Sequence, residues 1–271
     1  MARSNRPLAD WTGTGEAYAS SFGRLTEGAV APLLDAVGAS RGGDESGSLL
    51  DVGTGPGTVA AAAADRGYRV LGVDAEQSMV AEARRRHPSL RFDVAALPRL
   101  PFADGSFDVV TACFVINHVP DPGEAIADMA RVTGSGGAVA VTVWPGGGSP
   151  LRPLWEAVVA RAGSGVYPAD TQAAEATIDR SADGLVRLCS DAGLVEVEVA
   201  FPAWTFTIRP DALWRGVSGG VASIGGIHRS LDDAGRRALR AAFDDESSRR
   251  VDDDGVLRFP HTALLAVGLR R

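Results

Sequence analysis

The sequence predicts an α/β chain built on a doubly wound, mostly parallel seven-stranded sheet, with an antiparallel last strand and helical cap elements. Three observations carry that expectation. Between residues 49 and 144, short apolar runs alternate with segments of helical periodicity, as repeated βα units do. The first unit, LeuLeuAspValGlyThrGlyProGlyThrValAla (49–60), runs from an apolar strand through three glycines into an alanine-rich helix. Beyond residue 194 two long alternating stretches, 195–208 and 256–269, read as an antiparallel pair at the sheet edge.

Taken in order, residues 1–46 form a helical preamble. Trp11, Tyr18 and Phe22 precede a segment, 26–37, whose apolar positions fall at helical spacing, and the polar, glycine-rich 40–48 links it to the core. The core spans 47–144. Strand 49–53 leads to helix 58–65, ended by Gly67; strand 68–74 is followed by a helix over about 76–86 that stops before Pro88. Strands follow at 90–94, 107–115 and 138–144, with helix 122–132 and its trailing glycines Gly134, Gly136 and Gly137 before the last of them. The run 107–115 is almost continuously apolar, as a strand covered on both faces should be. Residues 145–181 read as a partly helical insertion, and 182–271 as helices 182–193, 210–218 and 232–249 with the final strands. The whole, 1–271, reads as one domain.

Composition narrows the chemistry. The net charge of −7 disfavours a nucleic-acid partner, and ArgArgArg at 84–86 reads as a solvated helix face. Two cysteines, no apolar leader and no run long enough to span a bilayer point to a cytoplasmic protein with no membrane partner. All 27 basic side chains other than histidine are arginine, so the sequence contains no lysine. Schiff-base chemistry, P-loop phosphate binding and Tyr-x-x-x-Lys dehydrogenation each need an ε-amine and are therefore excluded. No cluster with metal-ligand spacing is present, so no metal is expected.

A glycine turn between strand and helix exposes backbone N–H groups and the helix N-terminus to a ligand. Dinucleotide binders use Gly-x-Gly-x-x-Gly; here Gly53, Gly55 and Gly57 alternate, with Thr58 where the third glycine would fall. Asp51 lies two residues ahead of the turn, where it can accept from the loop or from an ammonium group. Asp74 closes the second strand, placed for the two hydroxyls of a ribose, and Asp93 with Val94 ends the third, placed for the edge of an adenine.

With these residues in view, the chain resembles the class I methyltransferases that use S-adenosylmethionine. The resemblance rests on LLDVGTGPGTVA (49–60), VLGVDAEQSMV (70–80), DVAALPRLPFADGSFDVV (93–110) and FVINHVPDPGEAIADMARVTGSGGAVAVTV (114–143), with ArgLeu at 99–100 lengthening the family's turn. It looks most like the branch with quinone-biosynthesis and natural-product enzymes. It implies a Rossmann-like methyltransferase fold and S-adenosylmethionine as cofactor. Gly53, Thr54, Gly55 and Gly57 would line the methionine portion, and Asp74 would hold the ribose, with Ala75 and Met79 against sugar or adenine. Asp93 and Val94 would take the adenine edge, the backbone at Cys113 and Phe114 the amino group, and Tyr18 would close over the cofactor. The acceptor would be a small molecule held by the insertion and the helices at 210–249, with the N-terminal helix as lid.

His118 stands at the rim where the methyl group would emerge, as a general base or as a residue that shapes the pocket. Asp108 and Cys113 read as structural, and His228 and His261 as ordinary surface or core. The tryptophans are too scattered to form a stripe, and core packing is their default. A cyclase or other non-methylating enzyme on the same scaffold, or a non-catalytic binding subunit, would carry the same loop.

Overall fold

Leu49, Leu50 and Val52 make β1 (Ser48–Val52) apolar on both faces, and it lies inside the sheet, buried from Leu49 onward. The computed structural model describes residues 11–44, 46–168 and 178–271; residues 1–10 of the preamble and 169–177 of the insertion lie outside the described residues. Among the described residues a seven-stranded sheet runs in the order β3 (Arg91–Val94), β2 (Arg69–Asp74), β1, β4 (Phe107–Cys113), β5 (Thr133–Val143), β9 (Leu264–Arg270), β6 (Leu194–Ala200). The first five are parallel to one another, and β9 is antiparallel to both β5 and β6. From β1 the chain winds outward through β2 to β3 and then crosses to β4 on the other side of β1, so the switch point of the sheet lies where β1 and β4 end.

Short helices α1 (Gly15–Ala19) and α2 (Gly23–Thr26) and a 3₁₀ turn (Glu27–Ala29) precede α3 (Val30–Ser40), which begins later than the 26–37 periodicity suggests. Leu33, Leu34 and Val37 of α3 bury one face of the sheet together with Leu49, Val109, Ala140 and Val267. The preamble thus packs on the core without joining its sheet. Helices α4 (Thr58–Asp65) and α5 (Gln77–Arg86) follow β1 and β2. On the opposite face, α6 (Pro122–Val132) packs Ile126 and Met129 over Leu50, Val110 and Val141. Its start is set by Asp121, whose side chain accepts from the Glu124 N–H, and by Pro122 in the first turn.

Two long strands of the sequence reading break in the structure. The stretch 195–208 divides at Phe201 and Pro202 into β6 and β7 (Ala203–Ile208), and 256–269 divides at Ala263 into β8 (Leu257–Thr262) and β9. Proline has no N–H for a ladder, and the two halves pair in different sheets, β6 with β9 and β7 with β8. The Ala263 N–H donates to the Pro202 carbonyl at 2.9 Å and holds the two breaks side by side. The expected antiparallel edge is present and continues into a separate two-stranded ribbon.

That ribbon packs with α7 (Arg152–Ala162), α9 (Pro210–Ser218), α10 (Ala222–Ser230) and α11 (Asp233–Ser248) in a second apolar cluster; α8 (Ala182–Asp191) lies on the main sheet. Trp155 of α7 stacks on Phe243 of α11 with centroids 5.7 Å apart. Helix α10 has no counterpart in the sequence reading, because Gly225 and Gly226 interrupt its periodicity. A Cβ at Gly225 would overlap the backbone of Gly220, so glycine lets the two chain segments touch. No helix among the described residues is long and apolar enough to cross a membrane.

Candidate functional site

The glycine loop lies at the switch point, and its three glycines meet different constraints. All have positive φ: +64° at Gly53, +53° at Gly55 and +86° at Gly57. A Cβ at Gly53 would overlap Val115, and one at Gly57 would come within 2.9 Å of the His87 ring and 3.0 Å of Phe92. At Gly55 the nearest atom would be Cε1 of Tyr18, at 3.8 Å. Gly53 and Gly57 are thus closed by packing, whereas Gly55 presents bare backbone to the cleft. Gly57 is also the N-cap of α4, whose first-turn N–H groups face the loop.

Two carboxyl groups flank the loop. Asp51 is 1% exposed and accepts from Thr54 Oγ1 at 2.6 Å and Thr111 Oγ1 at 2.9 Å. Burial pushes its pKa up to about 6; the two hydroxyls pull against that rise, and the negative charge of Asp74 adds to it. Asp74 closes β2 and accepts from the Gly55 N–H (2.9 Å, Oδ2) and the Glu76 N–H (2.9 Å, Oδ1). Its pKa too is raised, chiefly by burial, against the pull of those N–H bonds and with a further push from Glu76. Two acids disfavoured in their charged form at one loop suit a cation or a cluster of hydroxyl donors, and they repel a pyrophosphate.

Between these groups lies a narrow cavity of about 30 Å³, bounded by Tyr18, Thr26, Asp51, Thr54, Gly55 and Cys113 among others. Burial drives the Tyr18 phenol up to about 12; its hydrogen bond with Thr26 opposes this, and Cys113 and Asp74 reinforce it. Tyr18 reaches the loop because α1 is fastened to the start of α5. The Gly13 N–H donates to Glu76 Oε1 and the Gly15 N–H to Ser78 Oγ, both at 3.2 Å, and a Cβ at Gly15 would overlap the Ser78 carbonyl. Ligand pockets run upward from about 300 Å³, so this is a closed arrangement with Tyr18 drawn in.

The other residues singled out from the sequence surround that centre without lining the cavity, Cys113 excepted. Ala75 follows Asp74, and Met79 is buried on α5. Val94 pairs with Asp74 across the β2–β3 ladder and is 55% exposed. Asp93 turns to the sheet edge and pairs with Arg84 at 3.2 Å, and Arg84 also donates to the Phe92 carbonyl. Cys113 is driven up to about 12 by burial and accepts from Thr142 Oγ1 at 3.4 Å, as an inert core thiol does. Phe114 sits at φ +58°, its N–H donating to Thr142 O (3.1 Å) and Oγ1 (3.0 Å), and its ring stacks on Trp144 at 3.9 Å.

His118 occupies a 3₁₀ turn (Ile116–His118), edge-on to Trp11 at 5.6 Å. Burial, with Arg180 nearby, lowers its pKa to about 4, which leaves it neutral and weakly basic. Asp108 is structural: it accepts from the Ser48 N–H (2.7 Å) and Oγ (2.8 Å) and ties β4 to β1. Thr111 and Thr26 escape the sequence reading. Thr111 had a signal, a hydroxyl inside an apolar strand. Thr26 had none. Asn117, next to His118 and a weaker chemical candidate in the sequence, has Oδ1 and Nδ2 buried with no partner among the described residues.

Residues 50–141 match the family described as a methyltransferase domain. Over 108 residues the chain is 44% identical to the demethylmenaquinone methyltransferase of Beutenbergia cavernae, covering 40% of this chain and 43% of that one. The fold is similar to that of the YcgJ protein of Bacillus subtilis, with TM-score 0.54, 20% identity, and coverage of 89% of this chain and 99% of the other. It is also similar to phosphoethanolamine N-methyltransferase 2 of Haemonchus contortus in complex with S-adenosyl-L-methionine, with TM-score 0.53, 16% identity, and coverage of 100% and 61%. The chain spans about half the length of the curated relatives it matches.

Proposed function

We propose that this chain, whose residues 50–141 match the methyltransferase-domain family, binds S-adenosylmethionine over the glycine loop and transfers its methyl group to a small-molecule acceptor. The observation that carries the reading is the pair of buried carboxyl groups, Asp51 and Asp74, on either side of bare Gly55 backbone. S-adenosylmethionine offers what such a pair lacks: an ammonium, a sulfonium and a ribose diol, with no phosphate. Asp51 and the loop would hold the amino-acid end, and Asp74 the ribose, its oxygens each keeping a free lone pair beside the N–H bond they already accept. Val94, opposite Asp74, would meet the adenine.

When bound, the cofactor supplies a methyl carbon already activated by positively charged sulfur. The protein's part is then alignment of the acceptor and exclusion of water. The segment carrying Tyr18 would act as the lid, opening to admit the cofactor. A neutral His118 with its pKa near 4 suits pocket shaping better than proton abstraction. The net charge of −7 favours an uncharged small molecule over a nucleic acid, a quinone-like or secondary metabolite being the class we favour. Two free thiols support a reducing compartment, the cytoplasm.

Incubation with methyl-labelled cofactor and a small-molecule extract tests the reaction. Label appearing in a low-mass product is expected. Turnover without label in any product would replace methyl transfer by a non-methylating reaction on the same site.

A further inference from the structure

The β7–β8 ribbon alternates as an amphipathic hairpin should. Trp204, Phe206 and Ile208 of one strand stand opposite His261, Phe259 and Leu257 of the other, and this face is the inward one. Among these aromatic and aliphatic residues a histidine breaks the pattern, at 4% exposure. Its Nδ1 lies 2.9 Å from the Phe259 carbonyl oxygen, which can only accept, so Nδ1 carries the hydrogen. Nε2 is therefore left with a bare lone pair, and it has no hydrogen-bond partner among the described residues. An unmet acceptor in an apolar surround costs stability, and a structural role would be served as well by phenylalanine.

The rings around that lone pair lead back to the glycine loop. Trp144, Trp204 and Phe206 lie 5.6, 6.0 and 6.2 Å from the imidazole. Trp144 in turn stacks on Phe114, the residue after Cys113, which borders the cavity at the loop. The N-terminal segment covers the box: Trp204 Nε1 donates to the Leu25 carbonyl at 2.9 Å, and a Cβ at Gly28 would overlap the indole. Since the same segment carries Tyr18, a displacement of it would uncover both the cofactor cleft and the aromatic cluster around His261.

We infer that His261 is the specificity-determining residue of the acceptor site: its Nε2 accepts the O–H of a planar aromatic alcohol seated among Trp144, Trp204 and Phe206. A purely apolar molecule would leave the lone pair unmet. A carboxylate has nothing to donate to it. An ammonium would need a countercharge, and the influences on this imidazole are burial and the Phe259 carbonyl, not a carboxylate. Identifying the bound alcohol as the methyl acceptor rests on the proposed function; the hydroxyl-reading site itself does not.

The test titrates the full chain, saturated with S-adenosylhomocysteine, with 2-naphthol and with naphthalene, which has the same rings and no hydroxyl. Wild type is expected to prefer 2-naphthol at least tenfold, and His261→Phe to bind both alike while keeping its affinity for S-adenosylhomocysteine. In wild type, the ¹⁵N resonance of His261 Nε2 should move on addition of 2-naphthol and stay put with naphthalene, a readout that needs no variant to fold. Equal or absent binding of the two by wild type, or a preference that survives in His261→Phe, overturns the inference. If S-adenosylhomocysteine itself fails to bind, the cofactor reading falls, and titration of the free chain still reads the box.

Discussion

Gly53 and Gly55 share a left-handed backbone yet differ in what a methyl group would meet. Ala at 53 adds a clash with Val115 to the strain of positive φ, and at 55 the space is open. Urea unfolding should therefore show a loss of roughly 2–5 kcal/mol for Gly53→Ala and about 1–2 kcal/mol for Gly55→Ala. The second variant stays folded and loses cofactor affinity. Asp51 gives a pH signature. Its pKa rises from 3.8 unfolded to about 6 folded, so the native state holds the proton more tightly. Its cost to stability is absent below pH 3.8 and grows to about 3 kcal/mol as pH climbs past 6. Asp51→Asn should remove that decline when unfolding is compared at about pH 4.5 and 7.5, which between them take in most of the window. An ammonium on the ligand favours the ionised carboxyl, so cofactor affinity of the wild type should rise with pH through the same range.

At the scale of elements, the N-terminal segment is held by few polar bonds and by glycines that permit contact. Gly15 lies against Ser78, and Gly28 against Trp204. A side chain at 28 cannot coexist with the indole in its present place, so Gly28→Ala should loosen the segment and leave the sheet intact. Trypsin cutting after exposed Arg24 reads this directly. Cleavage at least tenfold faster than in wild type is expected, about 1.4 kcal/mol of easier local opening; an unchanged rate would argue that the segment is not a separate moving part. In the sequence this element reads as a helical preamble, and the resemblance casts it as a lid. Its fastening depends on where Ser78 and Trp204 come in space, 63 and 176 positions further along the chain from Gly15 and Gly28, and no local pattern carries that. The break at Pro202 was legible as a proline in a strand, but its meaning was not. Whether such a proline ends a strand or bulges it is decided by the partners, β9 for one half and β8 for the other.

Across the whole molecule, the βα alternation of 49–144 was readable because the central strands β1, β4 and β5 are largely apolar on both faces and the glycine turns mark changes of period. The order of the strands, which reverses at β1, was not read from the sequence. Asp51, Asp74 and the glycine loop meet where that topology brings β1, β2 and β4 to one end, so the centre of the candidate site was legible too. The closure by Tyr18 followed only from the resemblance, and the paired Arg84 and Asp93 and the lone pair of His261 were not legible. Each is an outcome of side-chain packing between elements, which no local pattern encodes. The central claim joins the two scales: a fold that places two buried acids beside a bare glycine turn holds S-adenosylmethionine. Calorimetric titration with S-adenosylhomocysteine tests it most directly. Saturable binding at one site, weakened at least tenfold by Asp74→Ala, is the expected result; a wild-type chain that takes up no ligand, or an Asp74→Ala variant that binds as tightly, would contradict it.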